Sequence, residues 1–76
     1  MTYEPTKEEL EEMKFSSYMD TWYYEYRYDG TRIEIKYHGK GNWSLLIQYF
    51  TSWIPTLIFP ESKEEIEVLI KVFANN

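Results

Sequence analysis

The stretch Trp22-Tyr23-Tyr24-Glu25-Tyr26-Arg27-Tyr28-Asp29-Gly30-Thr31-Arg32-Ile33-Glu34-Ile35-Lys36-Tyr37 decides the fold of this chain. Trp22, Tyr24, Tyr26 and Tyr28 alternate with Tyr23, Glu25 and Arg27. After Asp29-Gly30 the alternation resumes, with Ile33, Ile35 and Tyr37 set against Arg32, Glu34, Lys36 and His38. Successive side chains of a strand point to opposite faces, so a period of two reads as two half-buried strands joined in a hairpin. One face of the hairpin is aromatic and aliphatic, the other charged.

Two registers keep both apolar sets on the same side of the sheet. A type I′ turn on Asp29-Gly30 sets Arg27 opposite Arg32 and Glu25 opposite Glu34, so that charges attract only along diagonals. A type II′ turn on Gly30-Thr31 pairs Asp29 with Arg32, Arg27 with Glu34 and Glu25 with Lys36, all opposite in sign. Turn chemistry favours the first, because Asp and Gly readily adopt what a I′ turn asks; cross-strand charge favours the second.

Working outward, Gly39-Lys40-Gly41 lies in a loop before a third strand, Trp43 to Phe50, in which Trp43, Leu45, Ile47 and Tyr49 continue the inner face. Ser44, Leu46, Gln48 and Phe50 point outward. Trp53 to Phe59 reads as a fourth strand, and Pro55 assigns it to an edge because proline lacks the donor a central strand needs. Phe15 to Thr21 reads as a connector, with Ser16, Ser17 and Asp20 able to replace backbone hydrogen bonds.

Helices close both ends. Thr6 with Glu9, and Ser62 with Glu65, have the spacing of capping boxes. Leu10 and Met13 share one face of the first helix. Ile66, Leu69, Ile70 and Phe73 form a stripe on the second, with Val68 and Val72 widening it, so this helix is expected to cover the inner sheet face. The expected fold is α+β in the order α-β-β-β-β-α: a four-stranded antiparallel meander with a short N-terminal helix and a C-terminal helix packed on one face. Residues 1–76 read as a single domain.

The chain has 76 residues, of which 20% are aromatic, and it contains no cysteine. So short a chain buries only about 60% of its unfolded surface, so large rings must supply much of the core. Without cysteine there is no disulfide framework, thiolate chemistry or Cys-ligated zinc, and a cytoplasmic location is expected. No apolar run approaches the length of a membrane span. A formal charge of −5 works against phosphate backbones and anionic membranes, so neither direct nucleic-acid binding nor membrane binding is expected, and a protein partner is favoured.

No catalytic motif, metal-ligand cluster or phosphate loop stands out, and no enzyme activity or cofactor is expected. His38, the one histidine, has no nucleophile or carboxylate beside it in a catalytic spacing. The Gly39-Lys40-Gly41 loop precedes a strand and not a helix N-terminus, which fits a hairpin loop better than an anion cradle. The ladder from Trp22 to Tyr28 fits a helix-covered core better than a stacking platform. The candidate binding surface is therefore the outward face, where Tyr23, Leu46, Gln48 and Phe50 stand among charges like the apolar centre and polar rim of an interface.

Pro5-Thr6 with Glu8-Glu9-Leu10, the aromatic hairpin, and Ile54-Pro55-Thr56 with Phe59-Pro60-Glu61-Ser62 together resemble small uncharacterised proteins of bacteria and their phages. The resemblance carries no assigned activity. It implies a context in which small acidic phage proteins inhibit a host enzyme by occupying a basic surface. Two expectations follow. The first is a noncatalytic protein-interaction module that binds another chain, itself or a host protein, through the open sheet face. The alternative is an acidic inhibitor that covers a basic nucleic-acid-binding surface through Glu8, Glu9, Glu11, Glu12, Glu61, Glu64 and Glu65.

Overall fold

A computed structural model describes residues 2–28 and 30–74, with only the backbone described for Tyr28, Phe73 and Ala74. Seven elements follow one another: α1 (Lys7–Glu12), β1 (Ser16–Tyr18), β2 (Thr21–Tyr28), β3 (Thr31–Tyr37), β4 (Trp43–Tyr49), β5 (Ser52–Ile58) and α2 (Lys63–Ala74). The strands form one antiparallel sheet in the order β1-β2-β3-β4-β5. The α+β class, the meander and the terminal helices match the sequence reading, but the sheet has five strands and not four.

The additional strand lies in the segment read as a connector. Ser16, Ser17 and Tyr18 pair with Tyr23, Trp22 and Thr21 through a tight turn at Met19-Asp20, where Met19 takes φ 57°. Three residues are too few to show a period of two, and the two serines with Asp20 just after them mimic a loop. They pair because the outer edge of β2 would otherwise leave its donors and acceptors without protein partners.

The β2–β3 register is that of the Asp29-Gly30 connection, with Arg27 opposite Arg32, Glu25 opposite Glu34, and Tyr28 opposite Thr31. Asp29 itself lies outside the described residues; Gly30 has φ 82°, a region in which a side chain is strained. Pro55 sits in β5 at the sheet's edge, paired with Leu46.

Both helix starts carry the expected caps, with one difference. The Thr6 hydroxyl accepts from Glu9 N–H at 3.2 Å, and the Glu9 carboxylate accepts from Thr6 N–H at 3.0 Å. At α2, Glu65 N–H donates to Ser62 Oγ at 3.4 Å, but the Glu65 carboxylate accepts from Glu61 N–H, one residue before the cap. The end of α1 is equally specific: Phe15 N–H reaches Leu10 C=O, Lys14 N–H reaches Glu11 C=O, and Lys14 takes φ 69°. This is a Schellman ending, and its apolar contact, Phe15 with Leu10, passes into the core.

The core lies between the helices and one half of the sheet's inner face. Leu10, Met13, Phe15, Ile35, Tyr37, Trp43 and Ile66 are buried, and Trp22, Tyr24, Leu45, Ile58, Leu69 and Ile70 pack against them. Val68 and Val72, read as widening the buried stripe of α2, are instead 58% and 53% exposed. They fall on a neighbouring strip of the helix that the sheet does not reach.

Trp43 anchors this core. Its ring lies against Tyr37 at 4.6 Å, Tyr3 at 5.9 Å in a stack and Phe15 at 6.1 Å edge-on. Its indole N–H donates to Tyr3 C=O at 2.9 Å, and Tyr3 N–H donates to Pro60 C=O at 2.7 Å. The segment before α1 is thereby strapped across the end of the sheet.

The Tyr3 hydroxyl is shut from solvent and has no partner in hydrogen-bonding geometry. Burial, then the nearby Glu9 carboxylate, and more weakly Glu67 and Glu64, push it well above the ordinary tyrosine range. A raised pKa means that the fold holds the neutral form, so this contribution is complete below about pH 10 and declines as the pH rises above it. Tyr3→Phe is expected to make alkaline destabilisation shallower. Urea melts at neutral and alkaline pH test this, and a variant that loses stability as steeply as wild type above about pH 10 would contradict it.

Candidate functional site

The registers set the outer face of the sheet in cross-strand rows. At the Gly30 end the row runs Arg27, Arg32, Gln48, Trp53; the next runs Glu25, Glu34, Leu46, Pro55; the third runs Tyr23, Lys36, Ser44, Leu57. The β2–β3 half is thus charged and the β4–β5 half largely uncharged.

In the charged half, like charges stand directly opposite each other, and attraction runs along strands and diagonals. Glu25 accepts from Arg27 Nε at 2.6 Å and from Arg32 at 3.0 Å, while Glu34 accepts from Arg32 at 2.6 Å and pairs with Lys36 Nζ at 3.1 Å. The Arg27 guanidinium, with Arg32 beside it, holds the Glu25 carboxyl below the usual carboxylate range against an opposing effect of burial. Glu34 is only 5% exposed although it faces outward, because its long neighbours cover it. Arg32 Nε is buried and has no hydrogen-bond partner.

The uncharged half holds the larger exposed apolar surface. Trp53 and Leu57 are 54% and 70% exposed on the outer side of β5, and Ile54 is 52% exposed on the inner side. From Ser52 to Ile58 the strand carries no charge, and six of its seven residues are exposed. A two-residue link, Phe50-Thr51, joins the pair Tyr49 and Ser52, and the pair that closes such a hairpin exchanges both backbone bonds. Ser52, Ile54, Thr56 and Ile58 therefore turn their N–H and C=O toward β4, and Trp53, Pro55 and Leu57 turn theirs to the free edge. Proline's missing donor falls where the sheet itself does not need it. On the inner side, the edge borders a groove of about 480 Å³ formed by Ile58, Phe59 and Pro60 with Val68, Leu69, Glu64 and Glu65 of α2.

Of the residues expected on the outward face, Leu46 lies in the middle row beside Pro55, and Gln48 lies beside Trp53. Phe50 sits in the β4–β5 turn at φ 53°, 66% exposed. A side chain held in this region costs about 1 to 2 kcal/mol. Its ring is stacked over Gly30, where a Cβ would meet it at 3.4 Å. Tyr23 is not brought to this group. It stands on β2, across β3 from Leu46 and one row away, near Tyr18 and Met19. Trp53 and Leu57 were missed as face residues, although the alternation Trp53, Pro55, Leu57 continues the same period of two.

His38 Nε2 and Ser44 Oγ share a hydrogen bond of 2.8 Å at the rim of a depression of about 400 Å³ that Tyr23, Glu34 and Lys36 also line. In a nucleophile–base pair of this kind a third group commonly orients the histidine ring. The Glu34 carboxylate in that depression is engaged by Arg32 and Lys36.

Of the acidic residues, Glu9 caps α1, Glu12 ends it, and Glu64 and Glu65 line the groove beside Ile58. Lys63 Nζ bonds the Glu12 carboxylate at 2.8 Å, tying the start of α2 to the end of α1, and Glu12 in turn raises the Lys63 pKa. Among the described residues, no group of three or more His, Asp or Glu side chains is placed to hold a metal ion, and no helix is long and apolar enough to cross a membrane. Comparison of the chain with protein-family models, with curated proteins and with solved structures gives no match.

Proposed function

We propose that this chain is a noncatalytic protein-interaction module that adds a strand from a second copy of itself to the free edge of β5. The observation that carries this reading is an uncharged, seven-residue edge strand exposed on both faces. Edge strands in monomers are blunted by charge, by shortness or by covering. The opposite edge, β1, is blunted by having only three residues, whereas β5 has only Pro55. A strand laid beside β5 would cover Trp53 and Leu57 on the outer side and approach Ile54 and Val68 on the inner side, four of the ten large hydrophobic residues exposed on the described chain.

An antiparallel pairing about Thr56 sets Pro55 of each copy opposite Leu57 of the other. The Leu57 N–H then donates to the Pro55 C=O in both directions, and proline disfavours registers centred on itself. Pairing about a twofold axis closes after two copies. The noncatalytic reading is supported by the His38–Ser44 pair, for which the neighbouring carboxylate is already committed to cations.

Sedimentation equilibrium over a range of concentrations tests the proposal. Wild type is expected to run as a monomer–dimer mixture and Leu57→Asp as a monomer with an unchanged circular-dichroism spectrum. A wild-type chain that stays monomeric at the highest soluble concentration would sink the proposal.

The Lys63–Glu12 pair, which brings the end of the acidic α1 to the start of α2, favours a second reading, the phage-type inhibitor that occupies a basic nucleic-acid-binding surface of a host protein. Its mark is affinity for such a protein that falls steeply with salt. Leu57→Asp is expected to leave that binding intact.

A further inference from the structure

The row at the Gly30 end of the outer face forms one side of a cleft of about 650 Å³, lined by Arg27, Arg32, Gln48 and Trp53 from four adjacent strands and closed by Phe50 over Gly30. Three features of this cleft are not explained by the fold. First, among the described residues the Glu25–Glu34 row has cations on both sides, whereas the Arg27–Arg32 row has carboxylates on one side only; Asp29, the next acidic residue along the chain, lies outside them. Second, Arg32 Nε is buried and unpartnered, and leaving such a donor without an acceptor is costly. Third, the turn places a phenylalanine at φ 53°, where glycine or asparagine would be relaxed, and the ring it holds there is 66% exposed. Strain of this kind at a bulky residue persists where the side chain's position is used.

Adjacent strands are about 4.8 Å apart, so Arg32 and Trp53, two strands apart, are separated by about 10 Å. This suits the reach of a nucleoside monophosphate from its base to its phosphate. We propose that the cleft binds a nucleoside monophosphate, with the base stacked on Trp53 and beside Phe50, the Gln48 amide against the polar edge of the ligand, and the phosphate on the Arg27 and Arg32 guanidiniums. Aromatic faces accept any base, and paired guanidiniums match the geometry of a phosphate. Glu25 and Glu34 stand one row back. They tether the guanidiniums and weaken the attraction, as does the chain's overall negative charge, so binding is expected to be weak and salt-sensitive. A strand added at β5 would cover Trp53, so the cleft is titrated at a concentration at which sedimentation shows a monomer; the cleft itself needs no second copy.

The test is NMR titration of the intact chain with AMP, read at the indole N–H of Trp53, which the Trp53→Phe spectrum assigns among the three tryptophans. Adenosine and inorganic phosphate serve as separate arms. AMP is expected to give a saturable shift, with adenosine and phosphate each binding about tenfold more weakly, since a hydrogen bond to a charged group carries at least that factor. Arg27→Gln, at a side chain 73% exposed, is expected to weaken AMP binding by about tenfold on the same basis. Phe50→Gly is expected to weaken binding while raising the melting temperature, a combination that a merely structural turn residue would not give. No saturable shift with millimolar AMP, equal affinity for adenosine, or equal affinity for phosphate alone would overturn the proposal.

Discussion

Trp43→Ala is expected to remove about 3 to 5 kcal/mol of the stability of this protein. Trp43 is 1% exposed, touches the rings of Tyr3, Phe15 and Tyr37, and donates its indole N–H to the segment that precedes α1. Truncating a buried tryptophan to alanine costs about 3 to 5 kcal/mol. A chain of this length has about 4 to 11 kcal/mol in all, so the loss is a large fraction of the total and the urea midpoint should fall accordingly. Trp43→Phe separates the two contributions: it retains much of the ring volume but loses the bond to Tyr3 C=O. A urea midpoint for Trp43→Ala within error of wild type would mean that the aromatic cluster is not what joins the N-terminal segment to the sheet.

The second large effect is expected at Ile66→Ala. Ile66 has no exposed surface and lies one turn inside α2, where it meets the buried face of β3 and β4 through the core cluster. Its loss removes apolar contact and leaves a cavity that helix and sheet close only in part, at about 2 to 5 kcal/mol, against about 0.5 to 1.5 kcal/mol for Ile66→Val. The ratio of the two values, measured by urea unfolding with a common slope, reports how well the site relaxes. If Val68→Ala cost as much as Ile66→Ala, the assignment of α2's buried stripe would be wrong, since Val68 is 58% exposed.

Where local chemistry decides the structure, the sequence was legible. Thr6 and Glu9 cap α1 reciprocally as their spacing implies, Pro55 lies on an edge strand, and the inner residues from Trp22 through Leu45 follow the period of two. The hairpin register is instructive. Exposed cross-strand charges contribute only about 0.2 to 1 kcal/mol each, and the side chains of Glu25 and Arg32 are long enough to bond diagonally. Turn geometry therefore prevails over opposite-sign pairing, and the face forms a charge lattice that cross-strand pairing alone does not reveal.

What was not legible depends on tertiary placement. Ser16 to Tyr18 becomes a strand because β2 offers an open edge, and no property of three polar and aromatic residues announces that. Val68 and Val72 have the same helical spacing as buried residues, and only the position of the sheet shows that it leaves them uncovered. Tyr23 and Leu46 are both outward by alternation, but β3 stands between them. Trp53 and Leu57 become the more exposed apolar pair because nothing lies beyond β5.

The most direct test of strand addition at β5 is amide hydrogen exchange as a function of protein concentration. Ile54, Thr56 and Ile58 direct their N–H groups to β4 and serve as internal controls, protected at every concentration, whereas the Leu57 N–H points to the free edge. Strand pairing between copies predicts that Leu57 protection rises with concentration while the controls stay constant, and that Leu46→Asp, which sits inside the edge, affects it less than Trp53→Asp. A Leu57 amide that exchanges as fast at high concentration as at low would contradict the account.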